Sequence, residues 1–249
     1  MYKELFDLSN KKALVIGGAS GIGKATAEAL KEFGAYVIVA DINPDAVKGL
    51  FDEVYYVDIA DYDSVVNLFD KIDSLDILVS TPGINIRKRI EDYTIEEFNK
   101  VLNVNLVGYF YVAKNAIRVM NEGGSIIFIT SIRAFVVEPG QGPYSMTKAG
   151  IVQLVKVLAS ELGKYNIRVN AVAPGVVDTP LTRQIKSSRR WYEAYASKTA
   201  LGRWAEPWEI AAPIILLASK AGSYITGSVL LVDGGWTAID GRFDPFEGR

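Results

Sequence analysis

The feature that most limits how this 249-residue chain can fold is a repeated change of hydrophobic period. Short runs that are apolar at nearly every position alternate with longer stretches whose apolar residues recur every three or four positions. KKALVIGG precedes a helical pattern near 21–33, AYVIVAD a short one, and EVYYVDI another near 61–73. The series continues with LDILVS (75–80), a long helical pattern around 94–120, GSIIFITS (124–131), a helix around 143–163, IRVNAVAP (167–174), a helix around 206–219 and a last strand, SVLLVDGG. A strand that is apolar on both faces needs cover on both, which a parallel sheet flanked by helices provides. The pattern predicts a single α/β domain, a doubly wound parallel sheet of about seven strands with helices on both faces. No repeat, linker or low-complexity stretch divides it. Residues 178–204 break the alternation, and a connection of that length is expected to be a partly helical lid over a site.

Composition then narrows the chemistry. With 49% apolar residues the chain has material for a sizeable core. Its 27 basic and 29 acidic residues leave a net charge of −2 with no basic stripe, so nucleic acid and anionic membranes are not expected partners. The opening MYKELFDLSNKK is too polar for a secretory signal, and no apolar run reaches the roughly 18 to 20 residues of a membrane span. The expectation is a soluble, cytoplasmic protein acting on a small molecule. Cysteine and histidine are both absent. Thiolate catalysis, Ser-His-Asp triads and Cys- or His-based metal sites are thereby excluded, and no metal is expected. Proton transfer near neutral pH falls to Tyr, Lys, a carboxylate or a bound cofactor.

The first strand runs into GGASGIGKATAEAL, with Gly17, Gly21 and Gly23 spaced G-x-x-x-G-x-G. Glycines between a strand and a helix let the backbone approach a ligand, and the helix presents its free N–H groups to a pyrophosphate. A tight loop with no ligand has the same look, and Asp41 tips the balance. It ends the second strand, eighteen residues after Gly23, where its carboxylate can accept from an adenosine ribose and would repel a 2′-phosphate. The cofactor expected is therefore NAD. Capping the NPDAV helix is the plainer role for Asp41. Asp58 ends EVYYVD, placed for the adenine edge with Ile59 packing beside the ring; capping the helix near Tyr62 is its plainer role.

Within PYSMTKAG, Tyr144 and Lys148 stand four apart, one helical turn on one face. With LVSTPG, VNLVG, ITS and NAVAPGVVDTP in that order, the chain resembles the short-chain dehydrogenase/reductase family from the glycine turn to the final VDGG. The resemblance implies a Rossmann-type fold and a catalytic set of Asn105, Ser131, Tyr144 and Lys148. Tyr144 serves as general base for alcohol oxidation and general acid for carbonyl reduction. Lys148 lowers its pKa and binds the nicotinamide ribose, Ser131 donates to the substrate oxygen, and Asn105 holds a relay water. Cofactor contacts are implied for Gly17, Ser20, Gly21, Ile22, Gly23, Asp41, Asp58, Ile59, Gly83, Tyr144, Lys148, Pro174, Gly175, Val177 and Thr179. Asn170 reads as structural.

Two departures stand out. Ile16 replaces a threonine that braces the glycine turn in the family, and STPG at 80–83 replaces N-N-A-G, so Ser80 and Thr81 must substitute for two amides while Pro82 removes a donor. A rewired sheet end with activity retained is the expectation. Substrate contacts fall to Ser131, Tyr144, Arg133 and Arg183. Arg133 and Arg183, with Arg87, Lys88 and Arg89, suit an anionic or polyhydroxylated substrate. Solvated charges or interface ion pairs explain the same residues equally well. The reading is an NAD-dependent oxidoreductase for a secondary alcohol or ketone, of the sugar, polyol or hydroxy-acid kind. A 3-oxoacyl-thioester reductase and a non-catalytic NAD sensor are the rivals. A homotetramer, or a homodimer, is implied, with the tail carrying Asp240 and Arg242 reaching a neighbouring site.

Overall fold

The computed structural model describes residues 1–241. Seven strands form one all-parallel sheet: β1 (Lys12–Ile16), β2 (Tyr36–Asp41), β3 (Glu53–Tyr56), β4 (Leu75–Ser80), β5 (Met120–Ile129), β6 (Arg168–Pro174) and β7 (Val229–Val232). Their spatial order is β3-β2-β1-β4-β5-β6-β7. The chain winds outward from β1 in one direction, then restarts at β4 and winds in the other. The reversal opens a crevice at the carboxyl ends of β1 and β4, where the loops after Ile16 and Ser80 part.

The pleat sends alternate residues of each strand to opposite faces. Leu14 and Ile16 join one cluster with residues of α2 (Tyr62–Phe69), α4 (Gly108–Ala116) and α5 (Gly142–Leu162); Ala13 and Val15 join the other with residues of α1 (Gly21–Glu32) and α8 (Pro207–Ala218). This double cover is why the strands are apolar throughout. Among the described residues no helix is long and apolar enough to cross a membrane.

The structure departs from the sequence pattern in the long helix. In place of one helix over 94–120 there are α3 (Ile95–Leu102), a π turn (Asn103–Val107) and α4, and β5 begins at Met120 rather than at 124. The chain turns at Ile117 because the Val119 carbonyl accepts from Leu75 N at 2.8 Å, which draws it into the sheet edge early. Residues 178–204 carry a 3-10 turn, α6 (Arg183–Lys186) and α7 (Arg189–Ala196). They close on a small core of Val176, Ile185 and Trp204, and Trp204 donates its indole N–H to Tyr192 O at 3.0 Å.

Candidate active site

The crevice between β1 and β4 is a cavity of about 630 Å³. Gly17, Ser20, Gly21, Ile22, Gly23, Asp41, Asp58, Ile59, Gly83 and Thr179, all expected at a cofactor, line it. Ser20 stands at the N-cap of α1 without capping it by its hydroxyl, and no acidic residue occupies the first turn. The free N–H groups there suit an anion. The turn itself is braced from β4: Thr81 donates its hydroxyl to the carbonyls of Ile16 and Gly17, each at 3.1 Å. Thr81 thus supplies the brace that Ile16 cannot. Gly17 has φ +80°, and a Cβ on Gly23 would lie 2.1 Å from Gly17 O, so the close approach of α1 to this turn requires glycine.

Asp41 lies over the turn, its Oδ2 accepting from Ala19 N at 3.0 Å and its Oδ1 from Asn43 N at 2.9 Å. It does not cap the Pro44–Val47 turn, whose N-cap is Asn43. Asp58 likewise leaves capping to another residue: Asp61 caps α2, and Asp58 Oδ1 accepts from Ala60 N at 2.9 Å. Both carboxylates keep part of their accepting capacity on the cavity wall. Ile42, Lys100, Asn103, Val104 and Leu181 also line it, and the sequence reading did not pick them out. Ile42, an apolar residue 63% exposed straight after the acid, carried the one available signal.

Deeper in, β5 and α5 bring Ser131, Tyr144 and Lys148 together, all buried. Ser131 lies beside Tyr144, close enough to favour its phenolate. Lys148 Nζ donates to Ile129 O at 3.0 Å and lies 5.6 Å from the Tyr144 ring centre and 5.4 Å from that of Tyr109. These side chains are not among those that line the cavity; Gly83 lines it, and its open side faces Lys148. A Cβ there would stand 3.5 Å from Lys148 Nζ and 3.7 Å from Asn105 Oδ1. The Asn105 amide donates to Ile84 O and accepts from Ile84 N, both at 2.8 Å, so its side chain fixes the wall beside Gly83. The π turn aims it there.

Burial pushes the Tyr144 phenol up; the neighbouring Ser131 hydroxyl and the charges of Arg133 and Arg87 oppose it without cancelling it. Burial also lowers Lys148, to about 7. The ammonium expected to activate Tyr144 is therefore itself easily lost. Tyr109 lies beneath the pair, its hydroxyl donating toward Pro82 O at 2.8 Å, with Ser80 O at 3.2 Å and Ile129 O at 3.4 Å also in range. It ties the STPG segment to β5. The Ser80 hydroxyl, by contrast, is buried without a hydrogen-bond partner among the described residues.

Of the basic residues, Arg133 and Arg87 converge. Both pair with Glu138, at 3.0 and 2.7 Å, and Arg133 stacks on Trp236 with 5.0 Å to the ring centre. Lys88 pairs instead with Glu97, and Arg183 is exposed at the start of α6 without an ion pair among the described residues. Pro174 is held in the β6–β7 ladder, Gly175 N donates to Val232 O at 3.0 Å, and Val177 bridges Ala205; none of the three lines the cavity, which this segment reaches through Thr179. Asn170 joins β6 to the loop before β7 through Ile225 O and Ser228 N. Arg242 lies outside the described residues.

A family model described as enoyl-(acyl carrier protein) reductase matches residues 17–237. The chain is 36% identical to a 3-oxoacyl-[acyl-carrier-protein] reductase of Thermotoga maritima, over 92% of this chain and 98% of that one. It is 35% identical to trans-4-hydroxycyclohexanecarboxylate dehydrogenase of Sinomonas cyclohexanicum, over 93% and 94%. The structure of a gluconate 5-dehydrogenase from Burkholderia cenocepacia in complex with NADP and tartrate superposes with a TM-score of 0.90 at 29% identity, covering 96% of this chain and 100% of that one.

Proposed function

The chain belongs to the short-chain dehydrogenase/reductase family, a nicotinamide-dependent oxidoreductase acting on CH–OH groups, and on that premise we propose that it moves a hydride between NAD and a secondary alcohol or ketone of the sugar, polyol or hydroxy-acid class. The observation that carries the reading is the buried Tyr144/Lys148 pair, with Lys148 facing Gly83 on the wall of a cavity built on a glycine turn. When bound, the nicotinamide supplies the hydride acceptor. The protein's own groups manage the oxygen and its proton. Ser131 donates to the substrate oxygen, Tyr144 as the phenolate takes the proton at its oxygen, and Lys148, facing Gly83, holds the ribose and passes protons outward past Asn105.

NAD is favoured because Asp41 sits on the cavity wall beside the turn, where a 2′-phosphate meets like charge. The NADP in the Burkholderia structure belongs to that enzyme. One experiment tests both parts of the reading. Tyr144→Phe should lower the turnover of a panel of hydroxy acids, polyols and sugars by about 10²- to 10⁴-fold while NAD still binds. Asp41→Ala should narrow the NAD-over-NADP preference about ten-fold. Full activity in the phenylalanine variant, or an unmoved preference, overturns the corresponding part.

The Thermotoga relative favours a second reading, reduction of a 3-oxoacyl thioester. Faster NADPH-dependent turnover of such a thioester than of any alcohol in the panel would select it. Assembly as a tetramer belongs to the main reading, supported by Phe110 on α4 and Met146 and Val157 on α5, which are 54, 60 and 52% exposed. A sedimentation mass of one chain would count against it.

A further inference from the structure

Two guanidinium groups and one carboxylate stand together beside Tyr144. Glu138 Oε2 accepts from Arg133 Nη2 at 3.0 Å, and Oε1 accepts from Arg87 Nη1 at 2.7 Å. The same Oε1 accepts from Gln141 Nε2 and from the Tyr195 hydroxyl. Burial pushes Glu138 up, yet these hydrogen bonds and the Arg133 charge hold it below the ordinary carboxylate range. It is an anion with its acceptors engaged.

The arginines are not so engaged. Each guanidinium carries about five N–H donors. Among the described residues Arg133 uses only Nη2 and Arg87 only Nη1. The cluster therefore holds one positive charge beyond what Glu138 neutralises, and Arg133 is only 6% exposed, where water screens poorly. Forked donors with a surplus of one charge match one more carboxylate; a phosphate dianion would overshoot it. Arg133 N donates to Ser131 Oγ at 3.1 Å, and Gln141, bonded to Glu138, is the N-cap of α5, whose first turn carries Tyr144, so a group bound to the arginines is close to the Ser131/Tyr144 pair.

We propose that the substrate is a hydroxycarboxylate, its carboxylate bound by Arg133 and Arg87 and its secondary hydroxyl presented to Tyr144. The inference rests on the proposed oxidoreductase reading and narrows its substrate class. In the step the carbinol C–H and O–H bonds break and C=O forms. The substrate carbon gives its hydride to the bound nicotinamide, which is reduced, and the hydroxyl proton passes to the Tyr144 phenolate oxygen, which becomes the neutral phenol. The carboxylate is unchanged and the product is an oxo acid.

The test compares matched substrates on the full-length wild type: gluconate against sorbitol, 4-hydroxycyclohexanecarboxylate against its methyl ester, and a sugar phosphate. The acid of a pair should exceed its neutral partner in kcat/KM by about ten-fold or more. Equal or better turnover of the neutral partner, or of the sugar phosphate, overturns the inference while leaving the oxidoreductase reading in place. Binding of NAD with no turnover of any substrate overturns both. Two variants should move the acid-over-ester ratio in opposite directions. Arg133→Met should raise KM for the acid by about 10- to 100-fold with a smaller change in kcat, so the ratio falls. Glu138→Gln removes the competing carboxylate, so the ratio should rise. If Arg133→Met does not fold, a fall or no change in Glu138→Gln still overturns the assignment.

Discussion

Lys148 is a weaker activator of Tyr144 than its place in the chain implies. Burial lowers it to about 7, so near neutral pH its charge is only partly present before a cofactor arrives. Arg133 and Arg87 both act on the phenol in the favourable direction. Gly83 lines the cavity with its open side toward Lys148. An alanine there would meet Lys148 Nζ at 3.5 Å, ordinary contact without a clash, and it would crowd Lys148 from the cavity side. Gly83→Ala should therefore leave stability within about 1 kcal/mol by urea denaturation. It should weaken NAD binding about ten-fold or more by calorimetry, and unchanged affinity would mean that Lys148 does not contact the cofactor. The Tyr144/Lys148 pair was legible in the sequence because a four-residue spacing on a helix fixes two side chains to one face without reference to the rest of the fold. Glu138 and Tyr195 were not. They meet Arg87 across 51 and 108 residues of chain, and no local period records such a contact.

The inner strands were readable because they are buried on both faces, which leaves a nearly unbroken apolar run. The connections were less so. The π turn at Asn103–Val107 keeps the apolar pattern of a continuous helix, and only its tertiary consequence marks it: the Asn105 amide meets both polar groups of Ile84. The STPG end of β4 behaves similarly. Its loss of two amides was visible, and Thr81 makes good one of them by bonding the glycine turn. The other repair comes from α4, where the Tyr109 hydroxyl takes up the carbonyls of Ser80 and Pro82 from a residue with no polar neighbour in sequence to advertise it. Residues 178–204 were recognisable by length alone. Their anchoring is aromatic, with Tyr192 stacked on Trp204 at 5.0 Å between ring centres and Tyr195 edge-on to Trp236 at 5.4 Å. Tyr195 also reaches Glu138, which couples the segment to the arginine pair and thus to whatever anion that pair holds.

On the scale of the whole molecule, one sheet covered on both faces leaves its ionisable groups either at the surface or deep beside β5, and the deep ones set how stability depends on pH. Lys148 has an ordinary value of 10.5 and a folded value of about 7, the shift caused by burial. Between those limits the unfolded chain binds the proton and the folded one does not. Stability without cofactor should therefore rise with pH from about 7 toward 10, by up to about 1.4 kcal/mol per unit from this group alone. Below 7 both states hold the proton and the cost stays constant. Tyr109 and Tyr144 close the window from above. Burial raises both, so their contribution is complete below the ordinary phenol value of 10.0 and declines as pH climbs beyond it. On the acid side Asp76 and Glu138 are held below the carboxylate range, and the stability they add is lost only as pH falls through it. Urea midpoints at pH 7, 8 and 9 should climb for the wild type and stay nearly level for Lys148→Met, which keeps the buried volume and removes the titration. Parallel lines for the two proteins would mean that Lys148 is charged in the folded state throughout, and that the phenol beside it has a full ammonium after all.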